Sequence, residues 1–224
     1  MQAYVNYYDQ SVEEIGKLPD GKKPKLLLHA CCGPCSCFPL TFLCPHFDVT
    51  IYYANSNIYP SEEFFRRRGE LERLLIDLKR DYGFDVSLIE PEYDHETYME
   101  DLREFAGQKE GGQRCHRCFE KRMKEAFDYA ESHGFDYFTT VMTISRQKNS
   151  QILNEIGKRL EESHSRTKYF FSDFKKKGGI EVGRQMRLHY DLYNQTYCGC
   201  EYSLAESLAR RNPSLNTEKN TAKK

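Results

Sequence analysis

The sequence predicts a single α/β domain with a mostly parallel sheet covered by helices. Short apolar segments rich in β-branched and aromatic residues alternate with longer segments of helical periodicity, the pattern of parallel strands joined by helices. The length of 224 residues suits one domain, and no internal repeat, linker or low-complexity segment interrupts the alternation. We therefore expect one domain over 1–224, with its core at about 25–203 and a helical elaboration at the carboxyl end.

The elements follow from local signals in chain order. The predicted strands are 25–30, 49–54, 84–89, 135–140 and 168–171. The predicted helices are 1–17, 34–44, 62–82, 93–105, 115–133 and 151–162. Gly83 and Gly134 follow two of these helices, as glycines do at helix ends. The chain beyond 171 is expected to be helical or irregular to about 202, and the polar tail of about 212–224 to be frayed.

Composition and charge narrow the class of protein. The 33 basic and 34 acidic residues nearly balance, so any nucleic-acid surface must be a local patch. No apolar run approaches the roughly 20 residues of a membrane span, and no signal peptide is recognised, so we expect a cytoplasmic protein without a membrane partner. Thiols stay reduced in that compartment, and the nine cysteines therefore indicate metal binding or catalysis rather than a disulfide scaffold.

The turn after the first strand carries the first group of thiols. The apolar run Leu26–Leu28 leads into Cys31, Cys32, Gly33, Pro34 and Cys35, and proline suits the first turn of the helix that follows. A helix amino terminus favours thiolate, the form that binds metal. Parallel sheets hold their ligands at this edge. We expect a metal or redox centre here.

Cys115 and Cys118 lie one helical turn apart and form the second group. Together with Cys31 and Cys32 they offer four thiolates, which suit either a tetrahedral zinc site or an iron–sulfur cluster. Paired zinc ligands are usually two to four residues apart, so the adjacent Cys31 and Cys32 favour a [4Fe–4S] cluster. A helix-start pair without any ligand is the alternative for Cys115 and Cys118.

Cys198 and Cys200 flank Gly199 and form the third group. A disulfide between residues two apart is strained and easily reduced, which is typical of a catalytic or regulatory pair. Two unrelated loop cysteines are the alternative interpretation. A cluster beside a strained dithiol would describe a reductase.

The remaining three cysteines and two histidines receive different interpretations because of their positions in the sequence. Cys35 lies close enough to the centre to be a ligand or a contact of a second metal. Cys37 and Cys44 fit small buried hydrophobic residues and receive no role. His29 and His116 are alternative ligands, although histidines at such positions are more often hydrogen-bonding neighbours.

Basic and aromatic residues supply the candidates for substrate contacts. Arg146 and Lys148 lie in a polar loop after the fourth strand, on the same sheet edge as Cys31, and are predicted to meet the substrate. The basic runs 66–68 and 175–177 are better interpreted as solvated faces. The aromatic candidates for a stacking contact with a substrate are Tyr52, Tyr53 and Tyr59, each of which also fits the core.

Six segments of the chain resemble the QueH-type epoxyqueuosine reductases. They are LHACCGPC (28–35), NIYP (57–60), GGQRCHRCF (111–119), TIS with the following KN (143–149), DFKK (173–176) and YCGC (197–200). They occur in the family's order and span about 25–203.

The resemblance implies a HUP-like fold and the last step of queuosine biosynthesis, the reduction of epoxyqueuosine at the wobble position of tRNA. It implies that the [4Fe–4S] ligands are Cys31, Cys32, Cys115 and Cys118. It further implies a redox-active pair, Cys198 and Cys200, and a second metal ion, iron or zinc, near Cys35. The partners would be tRNA carrying epoxyqueuosine and an unidentified electron donor. The expected chemistry removes the epoxide oxygen as water, with a metal polarising the oxygen.

The chain departs from the family in three places. The family commonly has arginine at Asn194 and proline at Ser56, and 182–189 is divergent. These departures bear on substrate contacts and leave every cysteine in place.

Two other functions are weighed against the reductase. A zinc-stabilised module that binds tRNA or nucleotide without redox activity would use the same thiols. An ATP-dependent tRNA-thiolating enzyme would need a glycine- and serine-rich pyrophosphate loop after the first strand, and the cysteine-rich turn at 31–35 argues against it.

Overall fold

A computed structural model of the protein describes residues 4–212 and contains a five-stranded, fully parallel sheet. The strands are β1 (Lys25–His29), β2 (Asp48–Tyr52), β3 (Ser87–Ile89), β4 (Tyr137–Thr140) and β5 (Lys168–Tyr169). Their spatial order is β3-β2-β1-β4-β5. The predicted fold class is therefore confirmed, and all five predicted strands are present, although each is shorter than predicted.

Helices cover the sheet. They are α1 (Tyr7–Gly16), α2 (Gly33–Leu43), α3 (Ser61–Tyr82), α4 (His95–Glu100), α5 (Gln113–Ser132), α6 (Ser150–Glu161), α7 (Gly179–His189) and α8 (Glu201–Arg211). The helix predicted over 93–105 instead divides into α4 and a 3₁₀ turn at Arg103–Phe105. The predicted tail lies almost wholly outside the described residues. Over 4–212, no helix combines the length and the apolar character needed to cross a membrane.

Both faces of the sheet are buried, which explains the continuous apolar run in β1. Leu26 and Leu28 pack into a cluster with α2 and α3, where Leu40 and Leu71 are fully buried. Leu27 faces the opposite cluster, formed mainly with α5 and α6. Side chains alternate along a strand, so only a strand with helices on both sides can be apolar at consecutive positions.

The strand order places the functional residues at one edge. The chain runs from β1 outward to β2 and β3, then returns to the other side of β1 for β4 and β5. The carboxyl ends of β1 and β4 are therefore the point where the strand order reverses, which is where open α/β sheets bind ligands. Cys31 follows β1 and the segment 141–149 follows β4 at this edge.

Candidate metal and redox centre

The β1–α2 turn brings three thiols together. The Sγ atoms of Cys31, Cys32 and Cys35 all lie within 4.8 Å of one another, and those of Cys31 and Cys32 are 3.9 Å apart. Zinc–sulfur bonds of about 2.3 Å place two sulfurs of one tetrahedral ion about 3.8 Å apart. The triad is thus spaced as thiolates on a single metal ion are, and Cys35 belongs to it.

The pKa values of the three thiols are shifted in different directions. Hydrogen bonds with Cys32 and Cys35 lower the pKa of Cys31 well below the value of an ordinary thiol. Burial raises the pKa of Cys32, and hydrogen bonds with its two neighbours raise that of Cys35. Cys31 is therefore the thiol best prepared to be a thiolate, the form that binds metal.

Gly33 is needed at this turn for space rather than for an unusual backbone conformation. It begins α2, with Pro34 in the first turn, and its φ is not positive. A Cβ at Gly33 would lie 3.0 Å from the carbonyl oxygen of Glu70 on α3. The glycine therefore lets α3 approach the turn that carries the three thiols.

The second group of cysteines lies at the start of α5. The Cys115 Sγ accepts a hydrogen bond from the backbone N–H of Gly111 (3.2 Å), and the Cys118 Sγ accepts one from the Tyr98 hydroxyl (3.3 Å). Burial raises the pKa of Cys115 to about 11. Within residues 4–212 each sulfur has one such donor, so both keep lone pairs for a metal or cluster.

The third group forms a tight turn before α8. Gly199 has a φ of +140°, in the region that favours glycine, and a Cβ there would lie 3.1 Å from Ile58 and 3.2 Å from Arg67. The turn is tied down by a hydrogen bond from the Tyr59 N–H to the Gly199 carbonyl (2.8 Å). Burial raises the pKa of Cys200, although hydrogen bonds from Ser203 oppose that rise.

Two neighbouring cavities join the three groups. A small one of about 20 Å³, room for about one water, is lined by Cys115, Cys118, Cys198 and Cys200. A larger one of about 460 Å³ is lined by Cys31, Cys35, Cys115, Cys198 and Lys148, among others. The six cysteines assigned from the sequence, together with Cys35, thus converge from three distant segments on one region.

The residues present fit a thiolate-bound metal group. Gln195 donates a hydrogen bond from Nε2 to the Cys32 Sγ (3.0 Å), and its buried Oε1 has no partner. Within residues 4–212 this oxygen is one of few buried polar side-chain atoms without a hydrogen-bond partner. Three clustered thiols beside it are a donor set that suits a thiophilic metal.

The two histidines are not placed as ligands of this group. His29 is fully buried, with Nδ1 2.8 Å from the Thr140 hydroxyl and Nε2 3.3 Å from an Arg122 nitrogen. Burial, reinforced by Arg122, lowers the pKa of His29 to about 3, so the ring is neutral. His116 lines a separate surface groove on α5 and α6. The hydrogen-bonding interpretation of His29 is confirmed.

Of the other residues considered from the sequence, some line a cavity and others are buried in the core. Lys148 lines the larger cavity, whereas Arg146 is exposed in an adjoining groove that Lys148 also lines. Tyr52 and Tyr53 are buried in the core, and only Tyr59 is exposed, at 42%. Cys37 and Cys44 are also buried, and burial raises the pKa of each to about 12, as expected of inert thiols.

Three buried arginines near the centre were not identified from the sequence as site residues, and one of them, Arg114, is 3% exposed and lines the small cavity. Arg67 lies in a basic run that we expected to be solvated, yet it is 1% exposed and donates to the carbonyls of Tyr197 (3.2 Å) and Cys198 (2.9 Å). Arg122 is 2% exposed. Its position four residues after Cys118, on the same face of α5, was the available signal. Nothing in the sequence pointed to Gln195.

The departures from the family pattern lie around the centre rather than in it. Ser56 bonds to the loop before α4 through its hydroxyl, which accepts from the Asp94 N–H (3.1 Å). Asn194 is exposed. The divergent segment 182–189 belongs to α7, which packs against α2.

Comparisons with known proteins agree with this arrangement. A family model described as epoxyqueuosine reductase QueH matches residues 26–206. Proteins named epoxyqueuosine reductase QueH are 40% identical over 202 residues in Staphylococcus aureus and 37% identical over 198 residues in Streptococcus pyogenes. These alignments cover 89% and 88% of this chain, and 84% and 77% of the relatives. A relative of that name from Thermotoga maritima is 30% identical over 184 residues, covering 81% of this chain and 91% of its own.

The match extends over the whole sheet and all three groups of cysteines. The chain belongs to the epoxyqueuosine reductase QueH family.

Proposed function

We propose that this protein reduces epoxyqueuosine in tRNA to queuosine. The observation that carries the proposal is the convergence of three cysteine groups on one cavity at the point where the strand order reverses. Membership of the family supports the same conclusion. Such a site combines a metal-binding group of thiols, a thiol pair for redox exchange and space for a nucleotide base.

We propose that Cys31, Cys32, Cys115 and Cys118 hold a [4Fe–4S] cluster and that Cys35 contacts a second metal ion, iron or zinc. These groups would supply electron transfer and polarisation of the epoxide oxygen when bound. The protein itself favours a thiolate at Cys31, because hydrogen bonds lower the pKa of that thiol.

Cys198 and Cys200 are proposed to be the thiol couple. Both are free thiols in the structure, and Gly199 gives the backbone the tight turn that a bond between them requires. Their oxidation releases two electrons and two protons as the S–S bond forms. In the substrate both C–O bonds of the epoxide break, the oxygen leaves as water and a C=C bond forms. An electron donor, not yet identified, must then reduce the disulfide.

The substrate base would reach these thiols through the larger cavity. Wobble bases lie in a single-stranded loop and can be splayed out, then stacked on aromatic side chains. Tyr59 is exposed, and its backbone N–H donates to the Gly199 carbonyl beside the thiol couple, so its ring is our candidate for stacking on the base. Lys148 lines the cavity with Cys31 and Cys198, where its ammonium can stabilise negative charge on the departing oxygen.

Replacing Lys148 with methionine should lower kcat/KM by about 10²-fold, as removal of a group that stabilises developing charge does. Arg146→Met should act differently, raising KM for tRNA and flattening its salt dependence, because an exposed arginine meets phosphates. Steady-state kinetics at several salt concentrations measure both effects. Lys158→Met, an exposed change on α6, is the control. An unchanged kcat/KM in Lys148→Met would remove this residue from the mechanism.

The spacing of Cys31, Cys32 and Cys35 also fits a single zinc ion, and this observation favours a zinc-stabilised binding module as the second candidate. Anaerobic purification separates the two. The reductase predicts a brown protein with about four irons and four sulfides per chain, and Cys115→Ala should abolish the colour. A colourless protein that holds one zinc and keeps it in Cys115→Ala would establish the zinc module instead.

A further inference from the structure

We propose that Arg122 is a positioning residue whose buried positive charge balances the negative charge of the cysteine centre and raises its reduction potential. The inference deepens the proposed function and rests on it for the redox part alone. It assigns a role to a side chain that the chemistry proposed above does not use.

Arg122 is buried beneath the centre by its place on α5. It lies four residues after Cys118, so the two side chains share one face of the helix. Its guanidinium donates to the Asn55 side-chain oxygen (3.0 Å) and lies 3.3 to 3.4 Å from the His29 Nε2. Both partners are neutral, so they hold the arginine in place without balancing its charge.

The absence of a carboxylate partner distinguishes Arg122 from the other buried arginines. Arg67 pairs with Glu63 at 2.7 Å, and Arg114 lies 3.7 Å from Glu206. Within residues 4–212, Arg122 has no carboxylate oxygen inside 4.0 Å. An unpaired buried charge is strongly destabilising, so a negative group of another kind must balance it.

Cysteines flank Arg122 on two sides, because it follows Cys118 by one helical turn on α5 and contacts His29, two residues before Cys31. Burial alone would lower the pKa of Arg122, yet negative charge at Cys118 and then at Cys31 outweighs the burial and raises it. These two residues come from different cysteine groups, one on α5 and one after β1. The guanidinium therefore lies between the two segments that would hold a shared cluster.

His29 fixes Arg122 against the carboxyl end of β1. Its Nε2 lies 3.3 Å from an Arg122 nitrogen and from the Ala54 carbonyl oxygen, and its Nδ1 lies 2.8 Å from the Thr140 hydroxyl. Because His29 lies two residues before Cys31, the guanidinium is held near the turn that carries the first cysteine group. Arginine does not lose its proton in proteins, so this positive charge does not change during the reaction.

A fixed positive charge has a defined effect on a thiolate-bound centre. Each electron that enters adds negative charge, which the guanidinium stabilises in a region of low dielectric. Reduction is therefore favoured when Arg122 is present. Loss of the charge should shift the equilibrium towards the oxidised centre by tenfold or more, equivalent to 59 mV for one electron.

The test compares Arg122→Gln and Arg122→Lys in the purified, cluster-loaded protein by anaerobic redox titration. Arg122→Gln should lower the midpoint potential by at least about 59 mV, the shift that corresponds to a tenfold change in the equilibrium. Arg122→Lys should recover most of this loss, because the positive charge returns. Arg117→Gln, an exposed change on the same helix, should leave the potential unchanged. A wild-type potential in Arg122→Gln, or equal shifts in the two variants, would overturn the proposal.

Asn55→Asp tests the same charge without removing the arginine, in case Arg122→Gln does not fold. It places a carboxylate 3.0 Å from the guanidinium with almost no change in shape. The midpoint potential should again fall, and an unchanged potential would contradict the proposal.

The role of Arg122 can be tested even if the protein is not a reductase. If the wild-type protein holds zinc and no cluster, the redox function fails. Arg122→Gln and Asn55→Asp should then still weaken zinc binding by about tenfold, because a thiolate-bound zinc site is also anionic. Unchanged zinc affinity in both would overturn the role of Arg122 itself.

Discussion

Replacing Cys198 and Cys200 together with serine is expected to abolish queuosine formation, with a loss of about 10³-fold or more, as when a residue that takes part in bond making is removed. Serine cannot form the S–S bond that supplies the electron pair. The other two cysteines of the small cavity, Cys115 and Cys118, are proposed as cluster ligands and are therefore not free to replace the pair. Queuosine in digested tRNA, measured by mass spectrometry, is the readout.

The same double variant should retain its iron, because Cys198 and Cys200 are not proposed as ligands. Cys44→Ser is the matched control, since Cys44 is buried in the core away from both cavities. It should keep its activity. Full activity in the double variant would refute the thiol couple, and loss of iron together with activity would instead make these cysteines ligands.

Replacing Arg67 with methionine is expected to lower the free energy of unfolding by about 3–5 kcal/mol, the cost of breaking a buried ion pair. The Glu63 carboxylate would lose its partner at 2.7 Å and remain largely buried. The carbonyls of Tyr197 and Cys198 would lose their donors as well. Because these carbonyls hold the turn of the thiol couple, activity should fall even at temperatures where the variant is folded.

Arg68→Met is the matched control from the adjacent position. Arg68 is half-exposed and pairs with Glu72 and Glu90 near the surface. Surface pairs contribute up to about 1 kcal/mol, so this variant should be nearly as stable as the wild type. Urea denaturation followed by circular dichroism measures both variants. Equal, small losses would show that the Arg67 pair does not stabilise the protein.

Much of the fold could be predicted because its signals are local. The run Leu26–Leu28 marks a strand buried on both faces, and Gly83 ends α3 in a left-handed conformation, as predicted. Strand lengths were less predictable. Phe84 and Val86 are apolar enough for a strand, but β3 pairs with β2 only from Ser87, opposite Thr50, although β2 itself begins at Asp48. Apolar character predicts a strand but does not specify where its pairing with a neighbour begins.

The residues of the candidate site could be predicted where the residue type itself indicates the chemistry. Cysteines in a chain of this composition point to metal and redox chemistry, and their spacing separates the three groups. Lys148 could be placed by its position after β4. The partition of roles within the basic runs could not be predicted, because Arg66, Arg67 and Arg68 look alike until the packing of α3 buries one of them.

The sequence by itself determined the order of elements, the position of Cys31 and Cys32 at the end of β1, and the glycine between Cys198 and Cys200. Only the tertiary structure decided which residues meet. The strand order brings together cysteine segments that are 80 or more residues apart in the sequence. The β1–α2 turn places Cys35 with its two neighbours, and the packing of α5 leaves Arg122 without a carboxylate partner within residues 4–212. Contacts of this kind depend on how distant segments pack together, and local sequence patterns do not specify that packing.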